Sequence, residues 1–108
     1  MTQPFAFAFE GLDVYRLSLE VARWFRTVDW PEGAAHRLRD NAVRAADSVV
    51  LNIAEGRMRG GKAGLNHYRI ALGSAGEALA VLDVVDIELG PAQQDKLRRV
   101  GAMLAKMS

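Results

Sequence analysis

Cysteine is absent from the 108 residues, which excludes disulfides, thiolate nucleophiles and the cysteine-rich zinc modules. A reducing compartment fits that composition. No apolar stretch approaches the roughly 20 residues that a membrane-spanning helix needs. The opening residues MTQPFAFAFEG also lack the positive n-region and continuous apolar core of a signal peptide. These absences lead us to expect a soluble cytoplasmic protein with no membrane association. Excess charge is missing too: 14 basic side chains face 13 acidic ones, a net +1, so the whole molecule exerts no strong pull on nucleic acid or acidic lipid.

Several chemical signatures are incomplete or absent. GRMRGGKA, Gly56 to Ala63, places Gly61 and Lys62 correctly for a phosphate-binding loop. Ala63 stands where a magnesium-holding hydroxyl is required, and a helical pattern precedes the motif instead of a strand. Its glycines read better as a turn between helices. No Asp or Glu stands three residues before His36 or His67, so the Glu-x-x-His ligands of metal-binding bundles are missing. Both histidines sit among polar residues and are expected to face solvent. There is no nucleophile elbow and no carboxylate pair spaced for hydrolysis. We therefore expect no enzyme activity, no catalytic residue, no metal and no cofactor.

What the sequence does contain is a mixture of 50% hydrophobic and 25% charged residues, the composition of one globular domain spanning residues 1–108. Between Asp13 and Val28, apolar Val14, Leu17, Val21, Trp24, Phe25 and Val28 share one helix face. DWPEG ends that helix. From Ala34 to about Met58 the core line reads Leu38, Ala42, Ala45, Val49 and Ile53. GRMRGG stops this second helix, and a third carries Leu65, Tyr68, Leu72, Ala75, Leu79 and Leu82. Pro91 suits the first position of a fourth helix bearing Leu97, Val100, Leu104 and Met107. Four helices with short links predict an all-α, antiparallel up-down four-helix bundle. FAFAF has no partner strand, so Phe5, Phe7 and Phe9 are expected to form a short extended N-terminal arm packing on the bundle.

The apolar arcs are wider than one core requires. Ala46, Val50, Val43 and Ala54 flank the core line of the second helix, and Val81, Val84 and Ile87 fall outside the third helix's stripe. A surface helix usually buries a stripe of little over about 100°, so the excess predicts a homo-oligomer. Along the second helix Arg44, Ser48, Asn52 and Glu55 line up at spacings of four, four and three. Gly73, Ser74, Gly76 and Glu77 sit midway along the third. This polar stripe has two readings: a small pocket using Glu55 and Glu77, or a hydrogen-bonded seam that fixes helix register. The behaviour of buried polar groups favours the seam. A close helix approach would offset the cost of the two mid-helix glycines.

Charge is sharply partitioned despite the balanced total. From Gly56 to Gly76 the bases Arg57, Arg59, Lys62 and Arg69 occur with no acid, and from Glu77 to Gly90 the acids Glu77, Asp83, Asp86 and Glu88 occur with no base. In an up-down bundle the acidic stretch should meet Arg26, Arg37, Arg39 and Lys96. The opposite end would present Arg57, Arg59, Lys62, His67 and Lys106, opposed mainly by Glu10, Asp13 and Glu55; it reads either as a solvated loop whose charges maintain solubility or as a surface able to contact RNA or DNA phosphates without reading bases. The broad apolar arcs support a different role, a scaffold holding a protein partner.

RAADSVVLNIAEGRMR followed by HYRIALGSAGEAL resembles the four-helix-bundle family of 23S rRNA intervening-sequence proteins, and FEGLDVYRLSLEVA is similar to its opening helix. The resemblance covers almost the whole chain. Its matching positions are Arg44, Ser48, Asn52, Ile53, Ala54, Glu55 and Gly56, then Ala71, Gly73, Ser74 and Glu77. Asn41, Val43 and Val50 depart from the family pattern, Val43 replacing a usual second arginine. The resemblance implies an antiparallel bundle that assembles as a pentameric ring without enzymatic activity. Related accessory variability proteins of diversity-generating retroelements bind nucleic acid and a reverse transcriptase.

Overall fold

The computed structural model describes residues 4–33 and 35–108. Four helices account for most of them: α1 (Asp13–Thr27), α2 (Ala35–Arg59), α3 (Gly61–Val84) and α4 (Gly90–Met107). Ala34, the expected start of the second helix, lies outside the described residues. Each helix packs on its neighbour in sequence, and α1 closes the ring against α4. The antiparallel course of α2 and α3 follows from three pairings. Ser48 meets Ser74, Asn52 meets His67, and Gly56 meets Gly64, so one helix is climbed as the other is descended. Gln94 on Asp83 and Gly101 beside Leu72 give the same reversal for α3 and α4.

The core is built of medium and small side chains around one aromatic ring. Phe25, Ala42, Ile53, Ala71, Ala78, Val100 and Leu104 are completely buried, with Val21 and Val49 almost so. On α3 the innermost line is Ala71, Ala75 and Ala78; Leu65, Tyr68, Leu72 and Leu79 are only half-buried. Of the expected stripe, Ala75 and Leu82 are buried, whereas its other members lie off centre because α3 packs on both α2 and α4. Ala46, Val50, Val81 and Ile87, read as surplus apolar surface, are also buried within the chain. Val84 does remain exposed, as do Leu51, Met58, Ile70 and Leu89.

Glycine placement differs from expectation in an instructive way. Gly56 lies inside α2, which continues to Arg59, and the break is confined to Gly60 and Gly61 at φ 66° and 58°. These left-handed values explain why glycine is needed for so short a connection. The close helix approach occurs at Gly56 and Gly64. A Cβ on Gly64 would lie 2.5 Å from the Gly56 carbonyl oxygen, whereas Gly73 and Gly76 face open space.

Before α1, a 3-10 turn (Ala8–Gly11) is tied by the Phe7 amide donating to Glu10 Oε2 at 2.6 Å. Phe9 packs against Tyr15 with ring centroids 4.9 Å apart and the ring planes tilted by 56°. The extended arm is present, but only Phe9 follows the expected packing: Phe5 is 82% and Phe7 49% exposed, their rings resting on each other and on Phe9. At the other end of α1, Trp30 Nε1 donates to the Phe25 carbonyl at 3.0 Å and its ring stacks on Phe25. No described helix is long and apolar enough to cross a membrane.

Candidate functional site

The polar stripe on α2 faces α3 and forms a directional hydrogen-bond chain. Asn52 Nδ2 donates to the Ser48 backbone carbonyl at 2.9 Å and to Ser48 Oγ at 3.1 Å. Because that carbonyl can only accept, the orientation of the Asn52 amide is determined, and its Oδ1 lies 2.8 Å from His67 Nδ1. His67 Nδ1 must then carry a proton and donate. Ser48 Oγ also pairs with Ser74 Oγ at 2.8 Å. Thus Ser48, Asn52 and Ser74 do form the hydrogen-bonded seam that the spacing suggested. His67 was expected to face solvent; it is half-buried as the seam's fourth member. Its place fifteen residues from Asn52, the nearest seam residue on α2, gave no local spacing signal.

Glu55 and Glu77 take separate roles. Glu55 accepts from Arg59 Nε at 2.7 Å across one helical turn. That hydrogen bond and then the arginine's charge hold its carboxyl below the usual carboxylate range, against desolvation and with a smaller contribution from His67. Glu77 makes no ion pair among the described residues. With Arg44, Asn41, Ala45, Ser48 and Ser74 it lines an open cleft of about 260 Å³ between α2 and α3.

The four basic candidates are not one cluster. Arg57 and Arg59 occupy the last turn of α2, where positive charge complements the helix dipole. They point nearly opposite ways, since two residues turn a helix by about 200°. Lys62 and Arg69, seven residues apart, share the outer face of α3, and both are exposed. Arg59 is engaged by Glu55, while Arg57, Lys62 and Arg69 form no ion pair among the described residues. Among the described residues, no ion pair joins Asp83, Asp86 or Glu88 to the bases expected to meet them. Arg26 pairs with Asp47, Arg39 with Asp40 and Lys96 with Glu20, while Asp83 accepts from Gln94 at 2.7 Å.

The family model for 23S rRNA-intervening sequence proteins matches residues 10–108. The chain belongs to that family. Within the 23S rRNA-intervening sequence family, the motif positions Ser48, Asn52 and Ser74 have a physical role here: Ser48 pairs with Ser74 and Asn52 with His67, which joins α2 to α3. Gly56 of the same motif supplies the close crossing beside Gly64. No curated protein and no solved structure matches the chain.

Proposed function

We propose that this member of the 23S rRNA-intervening sequence family is a non-catalytic, homo-oligomeric cytoplasmic adaptor that binds RNA or DNA by its phosphates. The observation carrying this reading is the exposure of Arg57, Lys62 and Arg69 without carboxylate partners among the described residues, on a segment free of acids. Arg59 contributes less, because Glu55 already accepts its hydrogen bond. Assembly, as the pentameric ring that the family resemblance implies, would gather the separated charges of several copies. Exposed Leu51, Met58 and Ile70 supply apolar surface for such contacts. A non-catalytic role agrees with His67 bonding to Asn52 and the two serines bonding to each other, an arrangement that activates no nucleophile.

Fluorescence anisotropy with structured RNA, duplex DNA and single strands across a salt series tests the proposal. Three phosphate contacts per chain give a log–log salt slope of about −2.7 on duplex DNA. Replacing Arg57, Lys62 and Arg69 by alanine should abolish binding with the oligomeric state unchanged by light scattering. Absence of binding at physiological salt refutes the reading for these substrates. It would favour a protein-interaction scaffold, for which the groove of about 390 Å³ lined by Leu19, Ala22, Val50 and Leu51 offers an apolar surface.

A further inference from the structure

The cleft beside the Ser48–Ser74 pair holds polar capacity that the fold leaves unused. Two hydroxyls 2.8 Å apart share a single hydrogen bond, yet each carries its own proton. Whichever serine donates, one O–H remains. Neither hydroxyl bonds back to a carbonyl of its own helix among the described contacts, and the Asn52 amide adds a second donor to Ser48 instead of an acceptor. A spare O–H therefore belongs to the two residues at the cleft.

Arg44 adds to this surplus of donors. Its guanidinium has five N–H groups, of which one donates to Asn41 Oδ1 at 3.2 Å. That bond also turns the Asn41 Nδ2 donor away from Arg44. On the α3 wall, Glu77 presents an exposed carboxylate with no ion-pair partner among the described residues. Arg44 and Glu77 thus line one cleft from different helices without closing on each other. A ligand with an anionic group at one end and a cationic group at the other would satisfy both.

A cleft of about 260 Å³, open on one side, has room for a molecule of amino-acid size. We propose that this cleft binds a small zwitterion, with its carboxylate held by Arg44 and the free serine hydroxyl and its ammonium held by Glu77. The site is separate from Arg57, Lys62 and Arg69, and it does not depend on the nucleic-acid reading.

Backbone-amide NMR titration of the full chain with glycine and L-alanine tests this, with acetate and methylammonium as single-charge probes. The expected result is a saturable shift confined to residues 41–48 and 74–77, with each single-charge probe binding at least about tenfold more weakly than the zwitterions. Glu77→Gln should weaken the zwitterions by about tenfold or more while leaving acetate unchanged. Arg44→Gln should weaken acetate and zwitterions alike. Both side chains are exposed, so unchanged melting curves will show that the variants fold. Equal binding by either variant and the wild type, shifts scattered over the chain, or no saturation overturns the proposal. Cleft resonances that respond to protein concentration but not to the probes also overturn it, and assign the cleft to a second copy of the chain.

Discussion

Replacing Gly64 by alanine should destabilise the protein although alanine is the better helix former. The substitution gains about 1 kcal/mol of intrinsic helix propensity. Against that gain, the new Cβ would meet the Gly56 carbonyl oxygen at 2.5 Å and its carbonyl carbon at 3.5 Å. A backbone oxygen within a helix cannot rotate aside, so α2 and α3 must separate. Overpacking of this kind costs about 1–3 kcal/mol, and backbone resistance places Gly64→Ala at the upper end, for a net loss of about 1–2 kcal/mol. Gly73→Ala is the matched control: it lies in the same helix with nothing within 4 Å, so the propensity gain of about 1 kcal/mol appears undiminished. With about 4 °C per kcal/mol for a domain of this size, the two variants should melt on opposite sides of wild type, separated by roughly 8–12 °C. Thermal and urea unfolding at one protein concentration measure this directly. A Gly64→Ala variant as stable as Gly73→Ala would refute the close crossing.

Other predictions follow from the seam, one buried amide and one ion pair. Neutral His67 should be the Nδ1-protonated tautomer, because it donates to Asn52 Oδ1; long-range ¹H–¹⁵N correlation reads this, and an Nε2–H signal would contradict the assigned amide orientation. Gln93 is buried with no partner for Oε1, so Gln93→Met should stabilise by about 1 kcal/mol in urea unfolding, whereas a loss of stability would reveal a partner. Glu55 has a depressed folded pKa, so its contribution is present above the ordinary value of 4.5 and lost as pH falls through the folded pKa. Glu55→Gln should accordingly be slightly less stable than wild type at neutral pH, with the difference vanishing in acid and shrinking in high salt.

The helices were legible because apolar side chains recur every three or four residues and glycine or proline interrupts them. Legibility failed where two helices touch. The periodicity of α3 follows its larger residues, yet Ala71, Ala75 and Ala78 face the centre, because the space between packed helices depends on both partners. Gly73 and Gly76 looked like an approach point since glycine inside a helix is costly. The actual crossing uses Gly56 and Gly64, and only pairing the two helices places them together. The polar stripe on α2 was readable from spacing, while its partner His67 was not. Likewise the charge blocks were plain, but Asp47, Asp40 and Glu20 pair with three of the four bases assigned to the acidic end.

The α2–α3 pair changes character along its length. Backbones meet at Gly56 and Gly64, hydrogen-bonded side chains join the middle, and a water-accessible cleft lies beyond Ser48. Opening such a pair resembles unfastening a zip from its loose end: the cleft end can fray while the glycine end stays closed. Native-state amide exchange should therefore be graded along α2, slow near Ile53 and progressively faster toward Leu38, even though one continuous helix contains both residues.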